Sequence, residues 1–342
     1  MIDLRCGDCL EVMRDLPDNS IDAIVTDPPY FRVKKDAWDR QWDKPEKFLE
    51  WLGAVADEWQ RTLKPNGSLY CFASPKMAAQ VEVMLSGRFN VLNRIRWIKE
   101  AGWHNKCRPS DLRSYLSPWE EVIFAEHYGA DNIAKGEAGY QAKCDELRGF
   151  VFEPLRAYLC AERNRAGFMS SSAVDAEWQK HRGTKGCMAG HWFGVSQWAL
   201  PAEEHYEWLR RLFNRQGGEY LRREYEDLRQ EYEDLRQEYE DLRRPFQVTA
   251  EVPYTDVWTF KTVQAYPGKH PCEKPLDMMT HIIQASTRPG AVVLDCFIGS
   301  GSTGEACAKL GRDFIGIDAS PEWVRFAESR LNVDQRDLFA AA

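Results

Sequence analysis

Apolar and polar positions alternate with two different periods over the first third of the chain. Ile21 to Thr26 is a short apolar run that predicts a strand, and Pro45 to Leu63 carries apolar residues at helical spacing. Gly67 to Phe72 is apolar again, after the turn-forming stretch Lys64-Pro65-Asn66-Gly67. This is the grammar of a βαβ unit. Arg94 to Lys99 and Glu120 to Ala125 predict two more strands, an antiparallel edge on a mixed sheet. The pattern resumes near the far end with a helix over Leu276–Ser286, a strand over Ala291–Phe297, a helix over Ser302–Leu310, a strand over Phe314–Ile317 and a helix over Pro321–Leu331. The expected class is therefore α/β, with one sheet assembled from both ends of the sequence.

A segment of different character, Gly149 to Arg244, separates the two halves. Its short helical stretches are broken by Gly183, Gly186, Gly190 and Gly194. Ser171 or Ser172 can cap a helix running to Arg182, Gly183–Gly186 would turn, and Cys187–Phe193 would form a second short helix. That is the outline of a helix-turn-helix, whose second helix enters the major groove of DNA. It makes Arg182, Lys185, His191, Ser196 and Gln197 candidate base or phosphate contacts. The competing reading is a small helical subdomain in which Trp178, Trp192, Phe193 and Trp198 are core. Beyond it, Glu-Tyr-Glu-Asp-Leu-Arg recurs with period seven from Glu224, Glu231 and Glu238. Tyr225, Tyr232 and Tyr239 then share a helix face with Leu228, Leu235 and Leu242. A long helix ending before Pro245 follows, its stripe suited to packing on its own domain or on a second subunit. The expected organisation is residues 1–148 and 245–342 as two halves of one domain, 149–218 as the inserted helical region and 219–244 as the heptad helix.

Composition narrows the class. A chain of 342 residues with 44% hydrophobic content can bury a sizeable core. No stretch approaches the roughly 18 consecutive apolar residues of a membrane span, and the charged start, Met1 to Asp8, lacks a secretory apolar run, so a cytoplasmic protein without membrane contact is expected. Ten cysteines at irregular spacing suit reduced thiols. Cys6-Gly7-Asp8-Cys9 has no second pair or nearby histidine to complete a zinc tetrad, and no metal is expected. The net charge of −8 argues against nucleic acid until it is located along the chain. Residues 219–244 hold ten acids against six arginines, half the deficit, whereas Arg88 to Arg113 holds seven cations and two acids interleaved with Trp97, Trp103 and His104. Phosphate-reaching charge mixed with stacking surface suits a nucleic-acid groove. A solvated hairpin with buried tryptophans would show the same composition.

Two motifs carry chemistry, each just beyond a predicted strand. Asp295-Cys296-Phe297-Ile298-Gly299-Ser300-Gly301-Ser302-Thr303 lets the backbone pass close under a ligand before a helix begins, and Asp318 ends the next strand where a carboxylate can take a ribose diol. Asp27-Pro28-Pro29-Tyr30 supplies what an exocyclic amine needs. The nitrogen lone pair of such an amine is delocalised into the base ring; the Asp27 carboxylate and the Pro28 carbonyl can accept the two amino hydrogens and turn the lone pair toward an electrophile. Pro28 and Pro29 stiffen the loop, and Tyr30 can stack on the base, an interaction worth ~1–3 kcal/mol. Arg32, Lys34 and Lys35 follow directly, and with Arg96, Lys99, Trp103, Lys106 and Arg108 they form the candidate DNA contacts of this half.

With these motifs the chain resembles the amino-group DNA methyltransferases that use S-adenosylmethionine, in the β arrangement: DPPY first, target recognition in the middle, FxGxG last. The resemblance covers Ile2–Ala125 and Val257–Leu331, including His270-Pro271-Cys272-Glu273-Lys274-Pro275. It implies a Rossmann-like methyltransferase domain with a mixed seven-stranded sheet in permuted motif order. It implies that His270, Lys274 and Pro275 help hold the donor, that Phe297, Gly299, Gly301 and Ser302 wrap it, and that Asp318 stands where the family usually has Glu. The implied reaction is direct methyl transfer to N6 of a flipped adenine in double-stranded DNA. N4 of cytosine is the nearest alternative, although members acting on cytosine more often carry Ser at the position of Asp27. C5 methylation is disfavoured, because Pro271-Cys272 precedes the glycine motif instead of following it. A protein or RNA amine as substrate usually comes with Asn in place of Asp27, and a DNA-binding or assembly protein with a lapsed site would not keep every motif position filled. A homodimer joined through the heptads is expected, since a two-fold protein matches a palindromic site.

Overall fold

A computed structural model describes residues 1–33, 39–99, 108, 110, 112–127, 148–195, 198–248 and 254–331. The chain forms two compact units, one from residues 1–137 with 244–342 and one from residues 138–243.

The first unit is organised on one sheet of β1 (Ile2–Cys6), β2 (Ile21–Thr26), β3 (Leu63–Ala73), β4 (Asn90–Lys99), β5 (Trp119–Glu126), β6 (Val257–Phe260), β7 (Val292–Asp295) and β8 (Asp313–Asp318). Their spatial order is β1-β8-β7-β2-β3-β5-β4-β6, and β5 alone among these runs antiparallel to its neighbours β3 and β4. The sheet thus has eight strands among the described residues where seven were expected. The two strands without a sequence expectation are the two edges. β1 is half-exposed along most of its length, and β6 is four residues with only Trp258 buried. An edge strand pairs on one side only and carries little of the apolar signal that reveals an interior one. Consequently β4 and β5 lie inside the sheet, with β6 beyond them. Lys64 to Gly67 does not end the helix before the strand, as expected, but interrupts the pairing. Ile21 lies opposite Leu63 and Ala23 opposite Ser68, so the intervening residues bulge out of β3.

The helices are, in chain order, α1 (Cys9–Arg14), α2 (Pro45–Thr62), α3 (Ala78–Ser86), α4 (Glu153–Arg165), α5 (Ser171–Arg182) and α6 (Ala189–Phe193). They continue with α7 (Glu203–Asn214), α8 (Tyr225–Leu242), α9 (Leu276–Ser286), α10 (Ser302–Leu310) and α11 (Pro321–Arg330). Period-two alternation splits the interior strands between two cores. Ile24, Leu69, Cys71 and Leu294 face Met13 of α1 and Phe48, Leu52 and Trp59 of α2. Ala23, Val25, Tyr70 and Val293 face Met278 and Ile282 of α9, Ala306 of α10 and Val324 of α11. A sheet buried on both faces by helices results. From β2 the chain crosses through α2 to β3 on one side; from β7 it crosses through α10 to β8 on the other. Since β2 and β7 are neighbours, a crevice opens between their C-terminal ends, at the point where the strand order reverses.

The second unit holds α4 to α8 around Leu155, Leu159, Val174, Trp178, Trp192, Trp198, Tyr206 and Leu209. The first helix of the expected helix-turn-helix outline is α5, capped by Ser170 Oγ instead of Ser171 or Ser172, which lie inside the helix, and ended by Gly183 at φ +65°. The second helix is shorter than expected. Asp175 Oδ1 accepts from the backbone N–H of Met188 and Ala189, which starts α6 at Ala189 instead of Cys187. Five residues rise about 7.5 Å, and Ala189, Trp192 and Phe193 are buried, so α6 is a core turn of this unit with His191 exposed. The heptad stripe also turns inward. Leu228 and Tyr239 are buried in this core, Tyr232 and Leu235 pack against it, and Phe152 lies 5.4 Å from the Tyr232 ring. The seam expected to join two subunits is taken up by the unit's own side chains, and the homodimer expectation loses the feature on which it rested.

Candidate active site

The site lies wholly within the first unit. β2 delivers Asp27-Pro28-Pro29-Tyr30, and β7 delivers the turn from Cys296 to Gly301. The two are tied together below the crevice by Asp295. Its Oδ1 accepts from Thr26 Oγ1 at 3.0 Å and from the Phe297 N–H at 3.1 Å, and its Oδ2 accepts from Thr303 Oγ1 at 2.7 Å. The turn begins at Asp295 because of these bonds, which shortens β7 relative to the strand expected through Phe297. Burial pushes the Asp295 carboxyl up to about 6, against the pull of its three donors.

A cavity of about 340 Å³ opens above, lined by both motif loops together with His270 and Lys274. It takes in Asp27, Pro28, Pro29, Tyr30, Asp295, Phe297, Gly299, Ser300, Ser302, Thr303 and Asp318, all read from the sequence as site residues. Gly301 and Pro275 stand behind it. Gly301 is the residue before α10, at φ +75° with Ala327 against it, and Pro275 precedes α9. Gly299 forms the floor. At φ +44°, a Cβ there would fall 2.9 Å from the His270 ring, so only glycine leaves the cradle open. Asp318 accepts from the Gly299 N–H at 3.0 Å and the Ser320 N–H at 2.9 Å, one bond per oxygen, which leaves lone pairs for the two hydroxyls of a ribose. His270 packs edge-on against Trp323, ring centres 4.4 Å apart. A nucleoside donor fits this set of groups.

Lys274 does something other than expected. Its ammonium pairs with Asp27 Oδ2 and lies 3.4 Å from Glu120 Oε2, with 7% of the side chain exposed. Glu120, on β5, also accepts from Lys99 Nζ at 2.5 Å and from the Tyr30 hydroxyl at 3.3 Å. Asp27 Oδ1 is buried and makes no well-formed hydrogen bond; the Tyr30 hydroxyl faces the same carboxylate but is directed to Glu120. Burial lifts the Asp27 carboxyl above the ordinary range, Lys274 counters the rise and Glu120 adds to it. Burial also works on Glu120, but Lys274 and Lys99 outweigh it and hold that carboxyl at about 2. Lys274 stays charged: burial favours its neutral form, and its two carboxylate partners more than reverse that. Glu120 was not legible as a site residue, because its strand reads as an ordinary alternation; two adjacent acids opening an apolar run were the one available signal.

The candidate DNA contacts scatter. Lys99 is engaged with Glu120, and Arg96 lies over the Trp119 ring at 5.3 Å and 3.5 Å from Glu121. Arg32, at φ +54°, donates from Nε to the Trp42 carbonyl at 3.3 Å, whereas Arg108 is exposed. Lys34, Lys35, Trp103, Lys106, Ser196 and Gln197 lie outside the described residues. In the second unit Arg182 covers the Trp178 ring at 5.1 Å, and Lys185 is exposed. Among the described residues no cluster of histidine, cysteine and acidic side chains is arranged to hold a metal, and no helix is long and apolar enough to cross a membrane.

Comparison with known proteins places this geometry. The profile of the N6/N4 DNA methylase family matches residues 21–329. The DNA adenine methyltransferase YhdJ of Escherichia coli (strain K12) is 24% identical over 330 residues, 96% of this chain and 81% of that protein. The type II methyltransferase M2.DpnII of Streptococcus pneumoniae is 48% identical over 82 residues, 23% of this chain and 31% of the relative, so that match spans less than a third of its length. The crystal structure of the M1.HpyAVI–SAM complex aligns with a TM-score of 0.51 at 21% identity, covering 97% of this chain and 100% of the other, and shares the fold.

Proposed function

Because the chain belongs to the DNA methylase family, we propose that it transfers the methyl group of S-adenosylmethionine to N6 of an adenine rotated out of double-stranded DNA. S-adenosylmethionine is the methyl donor of this family, and when bound it supplies an electrophilic methyl. His270, Phe297, Gly299 and Asp318 are the residues that would hold it. The observation that carries the reading is the asymmetry of Asp27, one oxygen gripped by Lys274 and the other buried beside Tyr30 without a well-formed hydrogen bond. That oxygen is the acceptor for an amino hydrogen. It orients the nitrogen lone pair before the bond to carbon forms and takes the surplus proton afterwards. The Pro28 carbonyl accepts the second hydrogen, and the Tyr30 ring, its hydroxyl held by Glu120, is the platform for the flipped base. Aspartate at position 27 and the likeness to an adenine methyltransferase over 96% of the chain favour adenine over cytosine. Target recognition is assigned to the helical unit, where Arg182, Lys185 and His191 lie on the outside.

The test is single-molecule sequencing of DNA from a methylation-deficient host expressing the chain. N6-methyladenine at one short motif is expected, and Asp27→Asn should reduce it on the order of 10²-fold or more while donor binding persists. N4-methylcytosine at the motif overturns the choice of base, and unmodified DNA from cells with soluble, donor-binding protein overturns the reading as a whole.

A further inference from the structure

We propose that Glu120, backed by Lys99, is a positioning residue that holds Lys274 on one oxygen of Asp27 and so keeps the other open for the substrate amine. The inference rests on the methyl-transfer reading above. Four charges of alternating sign run from the crevice into the sheet: Asp27, Lys274, Glu120, Lys99. An ammonium has three N–H donors, and three acceptors surround that of Lys274: Asp27 Oδ2, Glu120 Oε2 at 3.4 Å and the Cys272 carbonyl at 3.4 Å. Each donor has a destination, and none is left over for Asp27 Oδ1. The partners of Glu120 are equally divided. Lys99 takes Oε1 at 2.5 Å, and Lys274 shares Oε2 with the Tyr30 hydroxyl. One carboxylate thus sets both the cation beside the catalytic acid and the ring on which the base would stack.

Removing the charge of Glu120 weakens its hold on Lys274 and leaves Asp27 as the ammonium's remaining carboxylate partner, which draws it toward Oδ1, the unfilled oxygen of that group. An ammonium bridging both oxygens of Asp27 competes with the amine for the same lone pair. It also makes Asp27 a weaker base. The charged and titratable groups facing Asp27 are Lys274, Glu120 and Tyr30, with Asp295 and Cys71 farther off, and Lys274 and Tyr30 also face Cys272. Of these, Glu120 is the carboxylate that glutamine can neutralise while an amide oxygen still faces Tyr30; the amide nitrogen then lies toward Lys99, and that pair is lost.

Two variants with opposite electrostatic consequences test this. Asp27 must be ionised to accept a proton, so the single-turnover rate of methyl transfer on a prebound DNA duplex rises with pH through the Asp27 titration. Glu120→Gln removes a negative neighbour and should move that acid limb to lower pH by about one pH unit, with the plateau rate down about 10-fold to 100-fold. Lys99→Met removes the positive charge behind Glu120 and should move the limb to higher pH. Donor binding measured by calorimetry should change no more than about twofold in either, because neither residue lines the cavity. Limbs that stay with the wild type, or that move the same way in both variants, overturn the assignment of Glu120, since a general loss of packing has no sign. Loss of donor binding in Glu120→Gln overturns it as well. A wild-type enzyme that methylates no DNA base overturns the underlying reading, a result distinguishable from the others by the wild type alone.

Discussion

Thr26 and Asp295, 269 residues apart in the chain, are joined by a buried hydrogen bond of 3.0 Å from the threonine hydroxyl to the carboxylate. They end neighbouring parallel strands, so this bond fastens the base-facing loop to the donor-facing loop. Asp295 keeps its charge at a cost. Its carboxyl, ordinarily near 3.8, is raised to about 6, chiefly by burial. The protonated form is therefore favoured on folding, and the stability it lends is complete below about 3.8 and lost as pH climbs past 6. Relative to Asp295→Asn, which does not titrate, the wild type should lose on the order of 3 kcal/mol between pH 4 and pH 7. Urea unfolding of both proteins across that range measures it, and parallel stability curves would refute it.

Arg330 binds the donor side together. From the end of α11 its guanidinium donates to Glu305 at 2.7 Å, Glu273 at 2.9 Å and the Ser300 carbonyl at 3.1 Å, while Glu273, almost wholly buried, also accepts from the Tyr266 hydroxyl at 2.6 Å. Residues 261–275, which bring His270 and Lys274 to the cavity, have no regular secondary structure of their own. Their placement depends on such cross-links. Arg330→Met leaves Glu273 buried without its cation and should cost about 3 kcal/mol of stability. The KM for S-adenosylmethionine should rise about tenfold with a smaller change in kcat, because Arg330 lies outside the cavity lining. Arg330→Lys should recover only part, since an ammonium lacks the planar fork. Steady-state kinetics with the donor varied decides between this split and a uniform loss.

The heptad helix supports its own unit. Leu228→Ala should destabilise the protein by about 2–5 kcal/mol, because the side chain is fully buried. Leu242→Ala, on the same stripe but 39% exposed, should change stability by less than about 0.5 kcal/mol. Neither should alter the hydrodynamic size at concentrations where the protein is folded. A shift in oligomeric state with Leu242→Ala would restore the intersubunit role that the repeat suggests.

Local order was readable along the chain wherever the physics is local. The Gly299 and Gly301 turn follows from backbone freedom at φ +44° and +75°, the Asp27-Pro28-Pro29-Tyr30 loop from proline stiffness, and α2, α8 and α9 from apolar spacing that any helix must bury. Those readings were enough to name about half of the cavity lining, because motif residues sit at strand ends whatever the rest of the chain does. Three things were decided by the assembled structure. Edge strands β1 and β6 bury too little to leave a pattern. The heptad stripe is equally suited to a partner helix or to Trp198 and Phe152, and what distinguishes these is which surface lies nearest after folding. The partner of Lys274 depends on strand order, which brings Glu120 of β5 and Asp27 of β2 to the same ammonium across 93 and 247 residues of sequence relative to one another and to it. Charge pairing in a buried site acts over a few ångströms in space and leaves no period in the sequence, so the residues that tune Asp27 emerge only once the sheet has been built.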